Sequence, residues 1–297
     1  MTTAQDWIDE VKRHLLGGAN ENLNRLNGTM TIGAATFVYE FAQGGIVAGA
    51  TVELDLELMY VWSVDTATKT ATVQRAMNGT AASSHASTAI ITVQPRFPQF
   101  SILKALNQDL YDLTSPAVGL YRIANVNLTV AQGVVGYDFL APGYIAAHEL
   151  HYEVTTSAKQ WKRIDDWRVI ENADLTDFAS GRAMMISDIY ALIGTTVKVT
   201  YKRDFSQLTL VSDNITSVTG MPAEMHDLPP LGALIRLAVT RGVKRNYDEA
   251  QGEPRRGAEV TETGMIQNVS AVMAVRNRRI AAEVARLNSL YPRRLVL

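Results

Sequence analysis

VQRAMNGTAASSHASTAIITVQPRFPQFSILKALNQDLYDL, residues 73–113, is where the chain passes from one kind of structure to another. The stretch closes a β-prone region, turns at Pro95 and Pro98, and then starts the first long amphipathic segment after the N-terminus. Asn78-Gly79 predicts a turn, because Gly accepts positive φ and Asn tolerates the left-handed region. Thr80 to Ser87 holds no large apolar residue, so it reads as an exposed loop that anchors no core. Ala89 to Val93 is β-prone. Pro95 and Pro98 each lack a backbone donor and disfavour helix in the residue before them, so a helix is predicted to begin near Pro98 or Gln99. Leu103, Leu106, Leu110 and Leu113 then recur at spacings of three and four, which places one apolar stripe against a partner.

Toward the N-terminus, Thr3 with Asp6 approximates a capping box. Trp7, Ile8, Val11 and Leu15 form a helical stripe that Gly17-Gly18 ends. Thr29 to Val93 reads as β. Val52, Leu54, Leu56 and Leu58 alternate with Glu53, Asp55 and Glu57, which predicts a strand with one wet face carrying the three acids. Met59 to Val64 and Thr70 to Arg75 flank a turn at Asp65 to Lys69 and read as a hairpin. A small antiparallel barrel or sheet is the expectation for this region.

Toward the C-terminus, short β-prone runs separated by Gly, Pro, Asn and Asp suggest a β-sandwich between about Val118 and Ile215. Its candidate strands are 119–124, 127–130, 136–140, 145–155, 162–169, 183–186 and 195–201, with Trp161, Trp167 and Tyr201 in its core or rim. Pro222, Pro229 and Pro230 read as a linker into a helical part. There Leu231, Leu234, Ile235, Ala238 and Val239 form one stripe, and Val269, Val272, Ile280, Val284, Leu287 and Tyr291 another. The polar, Gly-rich connection from Gln251 to Gln267 is longer than a helix hairpin needs. The fold class expected is therefore α+β. Segments 1–20, 98–115 and 228–291 would pack as a bundle of about four helices. Residues 28–97 and 117–216 would be inserted antiparallel β domains, and 292–297 a C-terminal tail.

Composition narrows the function classes. At 297 residues, 47% hydrophobic and 20% charged, the chain is a folded protein with room for two or three compact domains. It has no cysteine, which excludes disulfides and thiolate metal sites and fits assembly in a reducing cytoplasm. The charged, amphipathic N-terminus is not a signal peptide, and no apolar run reaches the ~20 residues that span a bilayer, so no membrane partner is expected. The net charge of −2 conceals an asymmetry: residues 228–297 hold 12 Lys+Arg against 6 Asp+Glu, and the rest of the chain 16 against 24. A basic end on an acidic body points to an acidic protein partner or to nearby DNA.

Catalytic and metal chemistry finds little support. His148-Glu149-Leu150-His151 is one residue short of the zinc-protease spacing and reads as strand, which sends its imidazoles to opposite faces. Glu53, Asp55 and Glu57 lack the carbonyls and Gly of a calcium loop and read as a solvated face. No phosphate loop, dinucleotide fingerprint or nucleophile elbow appears, so neither an enzyme nor a cofactor is expected. The basic set is Arg236, Arg241, Lys244, Arg245, Arg255, Arg256, Arg276, Arg278, Arg279, Arg286, Arg293 and Arg294. Part of it is explained as a solvated helix face. Arg255-Arg256 and Arg293-Arg294 fall outside the stripes, and with Leu295, Val296 and Leu297 they form the candidate partner-binding set.

Arg75, Asn78-Gly79-Thr80, the small-residue run to His85, the strand Ala89 to Val93 and Pro95-Arg96-Phe97 before a helix together resemble virion proteins of tailed bacteriophages. With the Tyr201 to Phe205 segment after a late strand and the C-terminal helix pair, the layout resembles a head-to-tail adaptor, or connector, protein. The resemblance implies a structural ring subunit at the head–tail junction of the virion, assembled in the host cytoplasm. Its partners would be further copies of itself, the portal protein and a tail-completion, terminator or tail-tube protein. Packaged DNA would pass through the ring without specific recognition, and a dodecamer is the expectation that comes with the family. The alternative is a tail or baseplate protein whose sandwich binds host carbohydrate through Trp161, Trp167 and Tyr190.

Overall fold

The computed structural model describes residues 2–17, 20–139, 141–155, 160–187, 193–250 and 262–292, and the chain is mixed α+β. It divides into two compact units, Met1–Leu110 with Gln207–Arg279, and Tyr111–Ser206 with Ile280–Leu297.

In the first unit, helix α1 (Ala4–Leu16) buries Trp7, Ile8 and Val11 and ends at Gly17, whose φ is +57°. The Asp6 carboxylate accepts from the backbone N–H of Thr3 at 2.7 Å and from its hydroxyl at 3.0 Å. Six strands follow: β1 (Asn22–Arg25), β2 (Thr36–Val38), β3 (Thr51–Leu54), β4 (Glu57–Asp65), β5 (Thr70–Gln74) and β6 (Ile90–Val93). They form one antiparallel sheet in the order β1-β6-β3-β4-β5-β2. The sheet does not close into a barrel: its end strands meet only at the isolated bridge Leu26–Tyr39. Val52, Leu54, Met59, Val61, Val73, Ile91 and Val93 supply its apolar core.

The predicted hairpin over residues 59–75 is present as β4 and β5. The single alternating strand predicted through Glu53, Asp55 and Glu57 is not. Asp55, with φ +52°, and Leu56 form a two-residue turn, and Leu54 pairs with Glu57 while Glu53 pairs with Leu58. A two-residue turn shifts the side-chain parity, so Glu53 and Glu57 face opposite sides of the sheet instead of sharing one. Neither is solvated, since each is only 1% exposed.

Helix α2 (Gln99–Leu113) starts where the prolines predict, and Leu103, Leu106 and Leu110 are buried along it. After an irregular segment come the short helix α3 (Ile215–Thr219) and the long helices α4 (Leu228–Ala250) and α5 (Glu262–Leu290). Pro229 and Pro230, expected as linker, lie in the first turn of α4, where a missing N–H and a fixed φ cost nothing. The connection expected to run to Gln267 already belongs to α5 from Glu262.

Asp109 of α2, itself buried, holds Arg276 of α5 at 2.7 Å. Gly232 of α4 lies so close that a Cβ there would sit 1.9 Å from its Oδ1. The carbonyls of Asp213 and Val211 accept the Ala4 and Gln5 amides at 2.9 Å, which satisfies two of the N-terminal donors of α1.

The second unit holds β7 (Arg122–Thr129), β8 (Gly136–Asp138), β9 (Tyr144–Thr155), β10 (Gln160–Ile164), β11 (Trp167–Glu171), β12 (Arg182–Ile186) and β13 (Thr196–Arg203). They make an antiparallel sheet β10-β9-β13-β7 and a second one, β11-β12-β8. Leu150, Ile164, Val197, Val199 and Tyr201 from the first share one core with Tyr137, Met184 and Ile186 from the second. Two strand expectations are corrected. The predicted strands 119–124 and 127–130 meet as one strand, β7, over residues 122–129, in which Asn125 and Asn127 fall on the exposed face and do not break it. Residues 162–169 are two strands, because Asp165-Asp166 passes the chain from one sheet to the other. Trp167 packs against the core and Tyr201 is within it, whereas Trp161 is 37% exposed.

Candidate functional site

The run of small residues after Asn78-Gly79 is not an idle loop. Asn78 has φ +55° and Gly79 φ +82°, as the turn chemistry predicts, around a 3-10 turn at Met77–Gly79. Thr80, at 8% exposure, accepts the Leu58 amide at 3.2 Å through its hydroxyl, and His85 is 2% exposed. The stretch is exposed over most of its length, as expected, but Thr80 and His85 are buried in it. Small side chains let the backbone come close to β4, and one histidine supplies the anchor.

That anchor is part of a buried charge cluster. Glu57 at the start of β4 accepts Arg75 Nε at 2.9 Å and Nη2 at 2.5 Å, a two-pronged pair of the geometry arginine favours. The same carboxylate accepts the Ala76 amide at 3.2 Å, the Ser83 amide at 3.1 Å and the His85 Nε2 side at 2.9 Å. His85 Nδ1 lies 2.7 Å from Asp55 Oδ2. Arg75 also donates to the carbonyls of Thr31 at 2.6 Å, Ile32 at 3.0 Å and Ser83. Four side chains thus tie the β3–β4 turn, the residues before β2 and the 75–85 loop into one clamp. Backbone bonds between Met30 and His85, at 3.0 and 2.8 Å, continue it.

Electrostatics follow from these contacts. Burial opposes a charged His85, but the hydrogen bonds and charges of Asp55 and Glu57 outweigh it, and its pKa is raised. Burial also opposes a charged Glu57. Arg75, His85 and the Ser83 and Ala76 amides outweigh that, and its pKa is lowered. A carboxylate with that many donors is a poor base and a poor ligand, because all its lone pairs are in use. The cluster is built to hold a loop.

Beside the clamp lies a cleft of about 800 Å³. Phe100, Leu103 and Asn107 of α2 line it, with the Asp55-Leu56 turn, Ser83-Ser84 and the 207–212 segment. Asn107 fixes that last segment by accepting the Leu208 amide and donating to its carbonyl, both at 2.8 Å. The half-exposed Asp55 is the acid at the cleft wall, and Lys104 the base.

Arg255, Arg256, Arg293, Arg294, Leu295, Val296 and Leu297 lie outside the described residues, as does Tyr190. Within the basic set, Arg276 pairs with Asp109, Arg279 with Asp227 at 2.8 Å, and Arg286 with Glu283 at 2.6 Å. These three arginines serve the helices that carry them, while Arg278 is exposed. His148 and His151 both stand on β9 near Glu149, and His148 meets the Tyr291 ring edge-on at 5.8 Å. Among the described residues, no group of three or more His, Cys, Asp or Glu is arranged to hold a metal ion. No described helix is long and apolar enough to cross a membrane.

The residues that sequence reasoning missed are Glu57, His85 and Glu53. Glu57 and His85 are 28 residues apart, and Glu57 and Arg75 are 18 apart, so no local spacing shows them. The available signal was a lone histidine in a run of alanines, serines and threonines, 28 residues after the last of three acids in an alternating segment. No protein-family model matches the chain, and no curated protein sequence matches it.

Proposed function

We propose that the chain is a structural subunit of a tailed-phage particle, a head-to-tail adaptor that assembles as a ring on the portal and receives the tail around the DNA channel. In this reading α1, α2, α4 and α5 act as one helical core. The six-stranded sheet is one insertion, and the two sheets of the second unit are a sandwich-like second insertion.

The observation that carries the proposal is the Asp109 junction. It binds helices from the middle and the far end of the sequence, around a β domain inserted between α1 and α2. That discontinuous helical core is the layout the resemblance implies. The self-satisfied Arg75–Glu57–His85 cluster favours a structural role over a catalytic one, since its groups are consumed in holding a loop. A ring of this kind uses heterologous contacts that close on themselves.

Gold-labelled antibody against the chain, applied to intact particles under the electron microscope, is expected to mark the neck. Label at the tail tip would overturn the adaptor reading and favour the carbohydrate-binding one, for which exposed Trp161 with Lys198 5.7 Å over its ring is the supporting feature. Deleting residues 292–297 is expected to abolish docking on the portal while the circular dichroism spectrum stays unchanged. Docking that survives the deletion would remove the tail from the partner-binding set.

A further inference from the structure

We propose that Glu53 is a proton-operated latch between the six-stranded sheet and α2, closing their junction while neutral and loosening it when charged. Glu53 sits on β3, between Leu58 of β4 and Thr92 of β6, so strands on both sides hold its backbone in place. It is 1% exposed and lies on the face opposite Glu57. Its Oε1 accepts the amide of Gln99, the first residue of α2, at 2.5 Å. Its Oε2 is buried with no donor in full hydrogen-bond geometry, the Phe100 amide being the other backbone N–H at the carboxyl. A carboxyl so placed fixes where the helix begins, and a charge there leaves one oxygen dry and without a well-aligned donor.

The charged groups that face it are few. Lys12 of α1 is held 3.2 Å from Glu21, which divides its influence, and the first turn of α2 contains no acid. Burial is the dominant influence on Glu53. Lys12 and the Gln99 and Phe100 amides oppose it, Glu21 reinforces it, and the pKa is pushed up to about 7. The folded protein therefore favours the neutral acid. The stabilisation is complete below the ordinary value of 4.5 and is lost as pH rises through about 7.

The link between β6 and α2 offers a built-in reporter. Arg96 is exposed, but the next residue, Phe97, is buried at 8%, so trypsin can cut the Arg96–Phe97 bond once Phe97 leaves its seat. Cleavage there, normalised to a peptide of the same sequence at each pH, measures junction opening. A carboxyl moved from 4.5 to about 7 makes opening about 30-fold easier at pH 8.5 than at pH 5.5. Glu53→Gln keeps the shape and the acceptor for the Gln99 amide but cannot ionise, and its normalised profile is expected to lose most of this rise. A Glu53→Gln protein that keeps the wild-type rise overturns the latch, as does a wild-type profile without one. Should Glu53→Gln fail to fold, carbon-13 titration of the carboxyl in the native protein decides. A midpoint near 7 that coincides with the cleavage rise supports the proposal, and a midpoint near 4.5 overturns it.

Discussion

Glu57→Ala is expected to lower the unfolding free energy by about 3–5 kcal/mol, the range for removing one partner of a buried ion pair. The residue is 1% exposed, and its loss removes the carboxylate partner of Arg75, whose side chain is 10% exposed, and one of the two acids on the fully buried His85 ring. Two backbone amides, of Ala76 and Ser83, lose their acceptor as well. Glu57→Gln keeps the shape and one acceptor oxygen, so it should cost less. Urea denaturation followed by circular dichroism measures both. A loss below about 1 kcal/mol for the alanine variant would mean that the cluster behaves like a solvated surface pair.

The clamp also sets a pH window. The pKa of Glu57 is lowered in the folded state, so its contribution is present above the ordinary 4.5 and lost as pH falls through the folded value. The pKa of His85 is raised, so its contribution is complete below the ordinary 6.5 and lost as pH rises through its folded value. Between 4.5 and 6.5 both charges work together. The stability gap between the native protein and His85→Gln should accordingly be widest there and narrow on the alkaline side. A gap that widens above pH 7 would show that His85 holds the loop as a neutral ring.

How much of this was legible follows from the range of each signal. The Leu103 to Leu110 stripe, the Gln99 helix start, the β4–β5 hairpin and the Asn78-Gly79 turn are all set by residues within a few positions of one another. Alternation is local too, and there it misleads. The run from Val52 to Leu58 keeps period two straight through a two-residue turn, so parity alone cannot show that the strand has folded back. That missed turn placed Glu53 and Glu57 in water. It also hid the partners of His85, since a histidine with no visible acid looks like loop filler. Pro229-Pro230 misled for a related reason: a Pro pair marks a helix start as readily as a linker, and only the packing of Leu228 and Ala233 decides which.

Gly232→Ala tests the junction on which the proposed architecture depends, and its sign is not obvious from propensity. In a helix interior alanine is favoured over glycine by about 1 kcal/mol, so an exposed site would gain. Here the new Cβ would lie 1.9 Å from Asp109 Oδ1 and 2.0 Å from its Cγ, distances that no relaxed structure keeps. Overpacking of this kind costs about 1–3 kcal/mol. Moving Asp109 away also breaks its 2.7 Å pair with Arg276, worth about 3–5 kcal/mol when one partner is left buried. Strain and pair loss outweigh propensity, and a net destabilisation of about 3–7 kcal/mol is expected in a thermal or urea melt. Arg276→Met separates the two costs. In that background the pair no longer exists to be broken, so Gly232→Ala should lose only the overpacking part, and the two substitutions should be less than additive. Full additivity would mean that α4 and α5 respond to Asp109 independently. The discontinuous helical core proposed above would then not behave as one cooperative unit.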